Sequence, residues 1–450
     1  MAVPFRPRAN TPARLRGTTP AHLRGATTTT PPPPPPGFLI DVENIATQVF
    51  PDLLVRVAFF SDPLDNVPQW TELTSVCRGC NINRGRSFEL DAVQAGTATF
   101  TFNNFDRSLD PTYQDGPYYG LLTSRRLIQV CGVWGDVIYP RFTGFVDSWP
   151  QYAEASAKNA VTTTVTATDL FGWLSRNQLR PEAPGITNDP VYGLTNNCVT
   201  GGQLSFPAVE SCGSRVNSIL DLWPLPPFMR AVDDGNTLLV ADTDVSSSET
   251  SLNYLQRITN SETGRLFVSN GGALQFQGRN HWQTATSQSQ SQLVLSDQVK
   301  PSYTSVNIDP ADERYIRNRI VRARQDMDTP IVAQDPASIR ANGAIEDSRT
   351  DLLTASRTDF RNQTAWLLAK YANPQPRFSS VTIKPQNAPD LLFPPVLKMD
   401  LGDRLTLAYT PSDIGDPMVG NYSIEQISES WAAKQCSVSY QLSPADTTVY

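Results

Sequence analysis

Cys77 and Cys80 form a C-x-x-C in the stretch VCRGCNINRGR, and they are the first residues whose type and spacing could do chemistry. Two thiolates at that spacing are half of a tetrahedral zinc site, or the two sulfurs of a redox switch. A structural zinc needs two more ligands, commonly a second C-x-x-C or a closely spaced histidine pair. The other cysteines, Cys131, Cys198, Cys212 and Cys436, stand alone, and the histidines are His22 and His281. A redox pair belongs between a strand and a helix. Here TELTSV precedes and SFEL follows, and NINRGR between them reads as the turn of a strand–turn–strand passage. The pair therefore reads as two packing residues. Zinc held by lone cysteines that fold together is the alternative.

The remaining candidates are weaker. His281, in GRNHWQT, has no nucleophile near it in sequence and reads as a hydrogen-bonding surface histidine. Asp106, Asp110 and Asp115 could pair as acid and base, but a chain with 44 acidic residues offers such pairs by chance. Asp242-Thr243-Asp244 has the opening of a calcium loop without its glycine or closing glutamate. No phosphate-binding glycine loop, H-E-x-x-H or G-x-S-x-G occurs. Tryptophan and tyrosine are scattered and do not form a basic-aromatic stripe for nucleic acid. The expectation is a structural protein, not an enzyme, with no catalytic residue, cofactor-binding residue or metal ligand.

The elements that would position any such residues are mostly strands. An apolar content of 39% with 18% charge fits a β-rich, loop-rich chain, and 37 prolines speak against long helical bundles. No stretch has the apolar length of a membrane span, and the N-terminal arginines lead into no apolar signal region. Six cysteines in 450 residues make no disulfide framework, which fits assembly in a reducing compartment. Residues 1–37 carry five arginines and no acid, so the formal charge of −7 leaves −7 − 5 = −12 for residues 38–450. This arm repeats TPARLRGTTP as TPAHLRGATT and ends in six prolines, a stiff extended spacer. It reads as a solvated tail or as an arm reaching an acidic partner.

Within 38–175, FLIDVENIA, LLVRVAFF, TATFTFNN, RRLIQVCGVW, RFTGFVDSW and VTTTVTATDLF read as short strands. Ala98, Phe100 and Phe102 alternate with Thr97, Thr99 and Thr101, giving one apolar face. Such strands without intervening helices indicate an antiparallel barrel or sandwich. Residues 176 to about 215 read as loop, followed by helices in SRVNSILDLW and SLNYLQRITNSETG, the second capped by Gly264. RLFVSNGGALQFQGR reads as a hairpin around Asn270-Gly271-Gly272, NRIVRARQ as a strand, and SRTDFRNQTAWLLAKYANP as a helix stopped before Pro374. Strands return after 376. Arg126-Leu127, Gly144 and Ser148-Trp149 recur in order as Arg404-Leu405, Gly420 and Ser430-Trp431. Two related β-domains thus bracket a mixed middle.

One run of motifs is more specific. Arg84-Gly85-Arg86, Ala95-Gly96, Asn104-Phe105-Asp106-Arg107, Asp110-Pro111, Gly144 and Ala167-Thr168-Asp169 resemble the tail-hub, or baseplate-hub, family of bacteriophage minor tail proteins. Glu262, Gly264, Leu266-Phe267 and Arg279 extend the likeness through residue 280, and domain order carries it further. The resemblance implies a mainly β chain with an α+β middle, two tube-like antiparallel β-barrel domains bracketing a mixed region. Its divisions are a basic proline-rich arm (1–37), a first tube-like domain (38–175), a mixed α+β hub domain (176–300) and a second tube-like domain with a helix (301–450). It also implies a non-enzymatic homotrimeric ring at the virion tail tip, assembled in the host cytoplasm. The implied neighbours are a distal tail or tail-tube protein, the tape-measure protein and tip or fibre proteins, with DNA passing through the lumen. Gly85 and Gly96 would serve turns of positive φ, and Asp106, Arg107 and Asp110 a hydrogen-bonded loop. The alternatives are a receptor- or carbohydrate-binding tip protein, for which Tyr113, Tyr118 and Tyr119 are the candidates, and a cell-wall hydrolase, for which the chain after the second β-domain leaves no room.

Overall fold

The computed structural model describes residues 48–153, 161–179 and 199–445, apart from 201–202, 207, 224, 244, 310–312 and 374–375. The arm at 1–37, with His22, the expected strand at 38–46, Cys198 and Asp244 lie outside the described residues, as does most of the expected loop after 176.

Strand β1 (Asp52–Val57) is followed by β2 (Cys77–Gly85), β3 (Gln94–Asn103), β4 (Leu127–Trp134), β5 (Val137–Ser148), its short continuation β6 (Gln151–Ala153), and β7 (Val161–Thr168). Alternation works as expected in β3: Ala98, Phe100 and Phe102 are buried while Thr97 faces solvent. NINRG is strand and not turn. Its polar letters conceal an alternation in which Cys80, Ile82 and Arg84 point inward and Asn81 and Asn83 outward. A short helix, α1 (Leu170–Arg176), follows at once, capped by the Asp169 side chain accepting from the Phe171 N–H.

The middle contains α2 (Cys212–Asp221), α3 (Ser251–Glu262) and a hairpin of β8 (Arg265–Val268) and β9 (Leu274–Gln277). Helix α3 ends on Thr263, which takes the left-handed conformation at φ 59°. Gly264, the expected cap, instead gives the hairpin room. A Cβ there would stand 2.3 Å from the Gln277 carbonyl, so its smallness lets the two strands close.

The chain then forms β10 (Ser305–Asp309), β11 (Arg319–Arg324), α4 (Arg357–Tyr371), β12 (Arg377–Ile383), α5 (Pro389–Lys398), β13 (Arg404–Tyr409), β14 (Met418–Ala432) and β15 (Gln435–Pro444). Twelve of these strands join Thr71–Glu72 and Leu293–Ser296 in a single 14-stranded sheet. Within it lie two runs of five strands, β2-β3-β7-β5-β4 and β10-β12-β15-β14-β13. In chain order each is 1-2-5-4-3, and every pairing within both sets is antiparallel. One topology is therefore built twice. The Arg-Leu landmark opens the third strand and the Gly landmark lies in the fourth in each copy, whereas Ser-Trp is not at equivalent positions. Ser148 faces Thr166 of the fifth strand, while Ser430 faces Ser437, four residues nearer that strand's start.

The two five-stranded units share one sheet, joined where β14 pairs with β2. The sheet is open, and no closed barrel occurs among the described residues. One apolar core runs through both units and α5, and a second fills the space among α1, α2, α3 and the β8–β9 hairpin. No described helix is long and apolar enough to cross a membrane.

Candidate functional site

The seam between the two units gathers most of the motif residues. Gln426–Ala432 of β14 pair with Gly85–Gly79 of β2. Gly85, at φ +107°, ends the pairing: its ideal Cβ would lie 2.1 Å from the Glu425 carbonyl, to which the next residue's N–H donates at 2.9 Å. Gly96 does not have the positive φ expected of it. It sits in β3, where a Cβ would meet the Asp169 carboxylate at 2.6 Å and the Arg84 side chain at 2.9 Å. The Arg-Gly-Arg, Ala-Gly and Ala-Thr-Asp motifs thus converge on one spot. There the Asp169 carboxylate accepts from the Gly96 N–H at 2.7 Å, and burial pushes its pKa up to about 7 against those hydrogen bonds and the nearby Arg84.

Buried charge locks the seam. Arg84 reaches Asp400 at 2.8 Å and the Val268 carbonyl at 3.2 Å, while Asp400 also accepts from the Asn270 N–H at 2.8 Å. This ties both units to the tip of the β8–β9 hairpin. Deeper in, Arg141 of β5 and Glu429 of β14 are fully buried and pair at 2.5 Å. The Arg141 guanidinium donates as well to the carbonyls of Leu397 and Met399, and the Trp431 indole donates to Glu429 at 2.8 Å. Burial works against the charge on Arg141, but Glu429 more than offsets it and the pKa stays above the usual arginine value.

Glu425 accepts from Arg86 at 2.8 Å, Arg265 at 3.1 Å and the Ser443 hydroxyl at 2.6 Å. Burial alone would raise its pKa, yet the two guanidiniums bring it down to about 2 from an ordinary 4.5. Because the folded value is depressed, the stabilisation is complete above pH 4.5 and is lost as pH falls toward 2. Glu425→Gln is expected to lose about 3 kcal/mol at pH 7. The gap to the unsubstituted chain should close by pH 2, as followed by urea unfolding at stepped pH. A gap independent of pH would refute the ion-pair account.

The other candidates have structural partners. Asp106 accepts from the Ser108 N–H, and Asp110 holds Arg107 and Thr112, forming the expected bonded loop after β3. Tyr113 lies under Arg107 at 4.6 Å and Tyr118 stacks on Phe59 at 4.4 Å, leaving Tyr119 exposed. His281 bonds Asp233 at 2.7 Å, and Asp242 accepts from the Tyr254 hydroxyl. Glu262 is buried and accepts the backbone N–H groups of Asn236, Thr237 and Arg279.

Cys80 is 2% exposed, packed in the core between β3 and β14. Burial raises both thiols, Cys77 to about 11, so neither is a ready thiolate for exchange chemistry. Cys77→Ser should be nearly neutral, whereas Cys80→Ser should cost about 1–3 kcal/mol by burying a hydroxyl. Chelator should leave the melting temperature of both unchanged. A chelator-dependent shift would point to metal.

Sequence reasoning missed Arg141, Glu429, Glu425 and the buried Arg377–Glu89 pair. Arg141 and Glu429, like Arg377 and Glu89, lie 288 residues apart, and their only local signal is a charge in phase with inward apolar residues, as in Ile427, Glu429 and Trp431.

The fold as a whole is similar to that of solved tail proteins. The chain is similar to the tail protein from Neisseria meningitidis MC58, with a TM-score of 0.52 at 14% identity over 87% of this chain and 95% of that one. It is similar also to the prophage MuSo2 tail protein from Shewanella oneidensis, with a TM-score of 0.51 at 10% identity over 87% and 98%. At these identities the likeness speaks for the fold, which agrees with the motif resemblance. No protein-family model matches the chain, nor does any curated protein.

Proposed function

We propose that this chain is a structural, non-enzymatic hub at the tail tip of a long-tailed bacteriophage, three copies closing into a ring that continues the tail tube. The observation that carries the reading is the repeated 1-2-5-4-3 unit. Two like units in each of three chains give six quasi-equivalent positions, which match a threefold ring to a sixfold tube. The two units correspond to tube-like domains at 38–175 and 301–450, and their open sheets close into barrel-like walls on assembly. The mixed region at 176–300 anchors tip or fibre proteins, and the tube faces meet a tail-tube or distal tail protein and the tape-measure protein. A net charge of −12 over residues 38–450 suits a lumen that lets DNA slide during ejection into the host. The protein is assembled in the host cytoplasm and resides at the virion tail tip.

Measuring the native mass of the purified full chain tests the reading: three chain masses support it, and a monomer at all concentrations contradicts it. The arm at 1–37 holds neighbours together through its five arginines. Its deletion should leave thermal unfolding unchanged but lower incorporation into tails. Normal incorporation would make it a solvated tail.

A further inference from the structure

Among the described residues the duplicated topology leaves two strand edges bare, and each has a paired counterpart in the other unit. The first strand of unit one, β2, is paired on both sides, to β3 and to β14. The first strand of unit two, β10, pairs among the described residues with β12 alone. Likewise the end of the fourth strand in unit two, Gln426–Ala432, is paired on both sides, to β15 and to β2. Its counterpart in unit one, β6, pairs among the described residues with β7 alone.

The counterparts can be matched residue by residue. Asn81-Ile82-Asn83 of β2 recurs as Asn307-Ile308-Asp309 of β10. Asn81 stands opposite Thr99, and Asn307 opposite Ser380, at the same place in the two second strands. Two residues on, Thr101 faces Thr164, and Thr382 faces Ser439. Two residues back along those fifth strands, Thr162 faces Tyr152 and Ser437 faces Ser430. Tyr152 therefore occupies the place of Ser430, and both are exposed on the outer face. Within the chain, Ser430 pairs with Asn81.

We infer that the bare edge of Ser305–Asp309 in one copy pairs antiparallel with Gln151–Ala153 of a second copy, setting Asn307 opposite Tyr152. The inference rests on the ring reading above and deepens it, because it repeats between chains the junction already formed inside one. Unit two meets unit one through β14 and β2 within a chain, and unit one meets unit two through β6 and β10 of the next. The contact is head-to-tail, so it closes only as a ring. The β10 edge is available: Ser305 and Asn307 are exposed, and the strand carries neither of the usual edge guards, lysine and proline. Its irregularity between Asn307 and Ile308 is no obstacle, since β2 has two such shifts and is paired on both sides.

Opposed residues of an antiparallel pair have Cα atoms about 4.5–5.5 Å apart, within the range a disulfide spans. The test is oxidation of the full-length Tyr152→Cys, Asn307→Cys double variant, with each single variant and an Asn81→Cys, Ser430→Cys control that should close within one chain. All these sites are exposed, so folding is retained. The expected result is a reducible ladder of covalent oligomers from the Tyr152→Cys, Asn307→Cys chain, absent from either single variant. Native oligomers without that ladder, in a preparation where the control pair closes, would overturn this junction and leave the hub reading standing. A chain that stays monomeric would overturn both.

Discussion

Replacing Glu429 by alanine is expected to destabilise the folded chain by about 3–5 kcal/mol. Glu429 and Arg141 are both without solvent exposure, and the pair crosses from one β unit to the other. Removing the carboxylate strands a guanidinium whose other N–H groups are already committed to the Leu397 and Met399 carbonyls, and leaves the Trp431 indole without its acceptor. The pair itself is a weak source of net stability, because desolvating two ions offsets much of their attraction. Arg141→Met with Glu429→Leu should therefore recover most of the loss. Urea midpoints of both single variants and the double variant form the cycle that isolates the coupling. A loss below about 1 kcal/mol in Glu429→Ala would mean that water reaches the pair.

Gly85→Ala should be nearly as damaging, at about 3 kcal/mol or more. Two effects add: an alanine at φ +107° is strained, and its Cβ would lie 2.1 Å from the Glu425 carbonyl, which cannot yield without opening the seam. Gly120 separates the two effects. It has φ +77° with nothing within 4 Å of an added Cβ, so Gly120→Ala should cost only about 1 kcal/mol. Equal losses at the two sites, measured by urea unfolding, would show that backbone strain alone acts and that the seam is not tight.

Much of this architecture is legible in the sequence where one face is apolar and the other polar. The alternation in β3 and the helical spacing of Val216, Ile219 and Leu220 read correctly, because local period and burial agree there. They part company in α5, which contains Pro394 and Pro395. Each interior proline costs a helix about 3 kcal/mol, so propensity argues against it. Burial of Leu392, Phe393, Val396 and Leu397, about 1.5–3 kcal/mol each, outweighs that cost, but only in the folded context. Cys80-Asn81-Ile82-Asn83-Arg84 hid its strand for a related reason. The inward arginine is favourable only because Asp400, 316 residues away, meets it. The repeat was legible as landmarks, whereas its strand order and the Asn-Ile correspondence required the pairing register.

If two like units per chain form a ring of quasi-equivalent positions, electron cryo-microscopy of the purified full chain should reveal it directly. The expected image is a threefold ring around an open pore, whose wall shows six similar lobes made alternately from residues 38–175 and 301–450. A monomer, or an oligomer in which the two units of a chain occupy dissimilar positions, would contradict it.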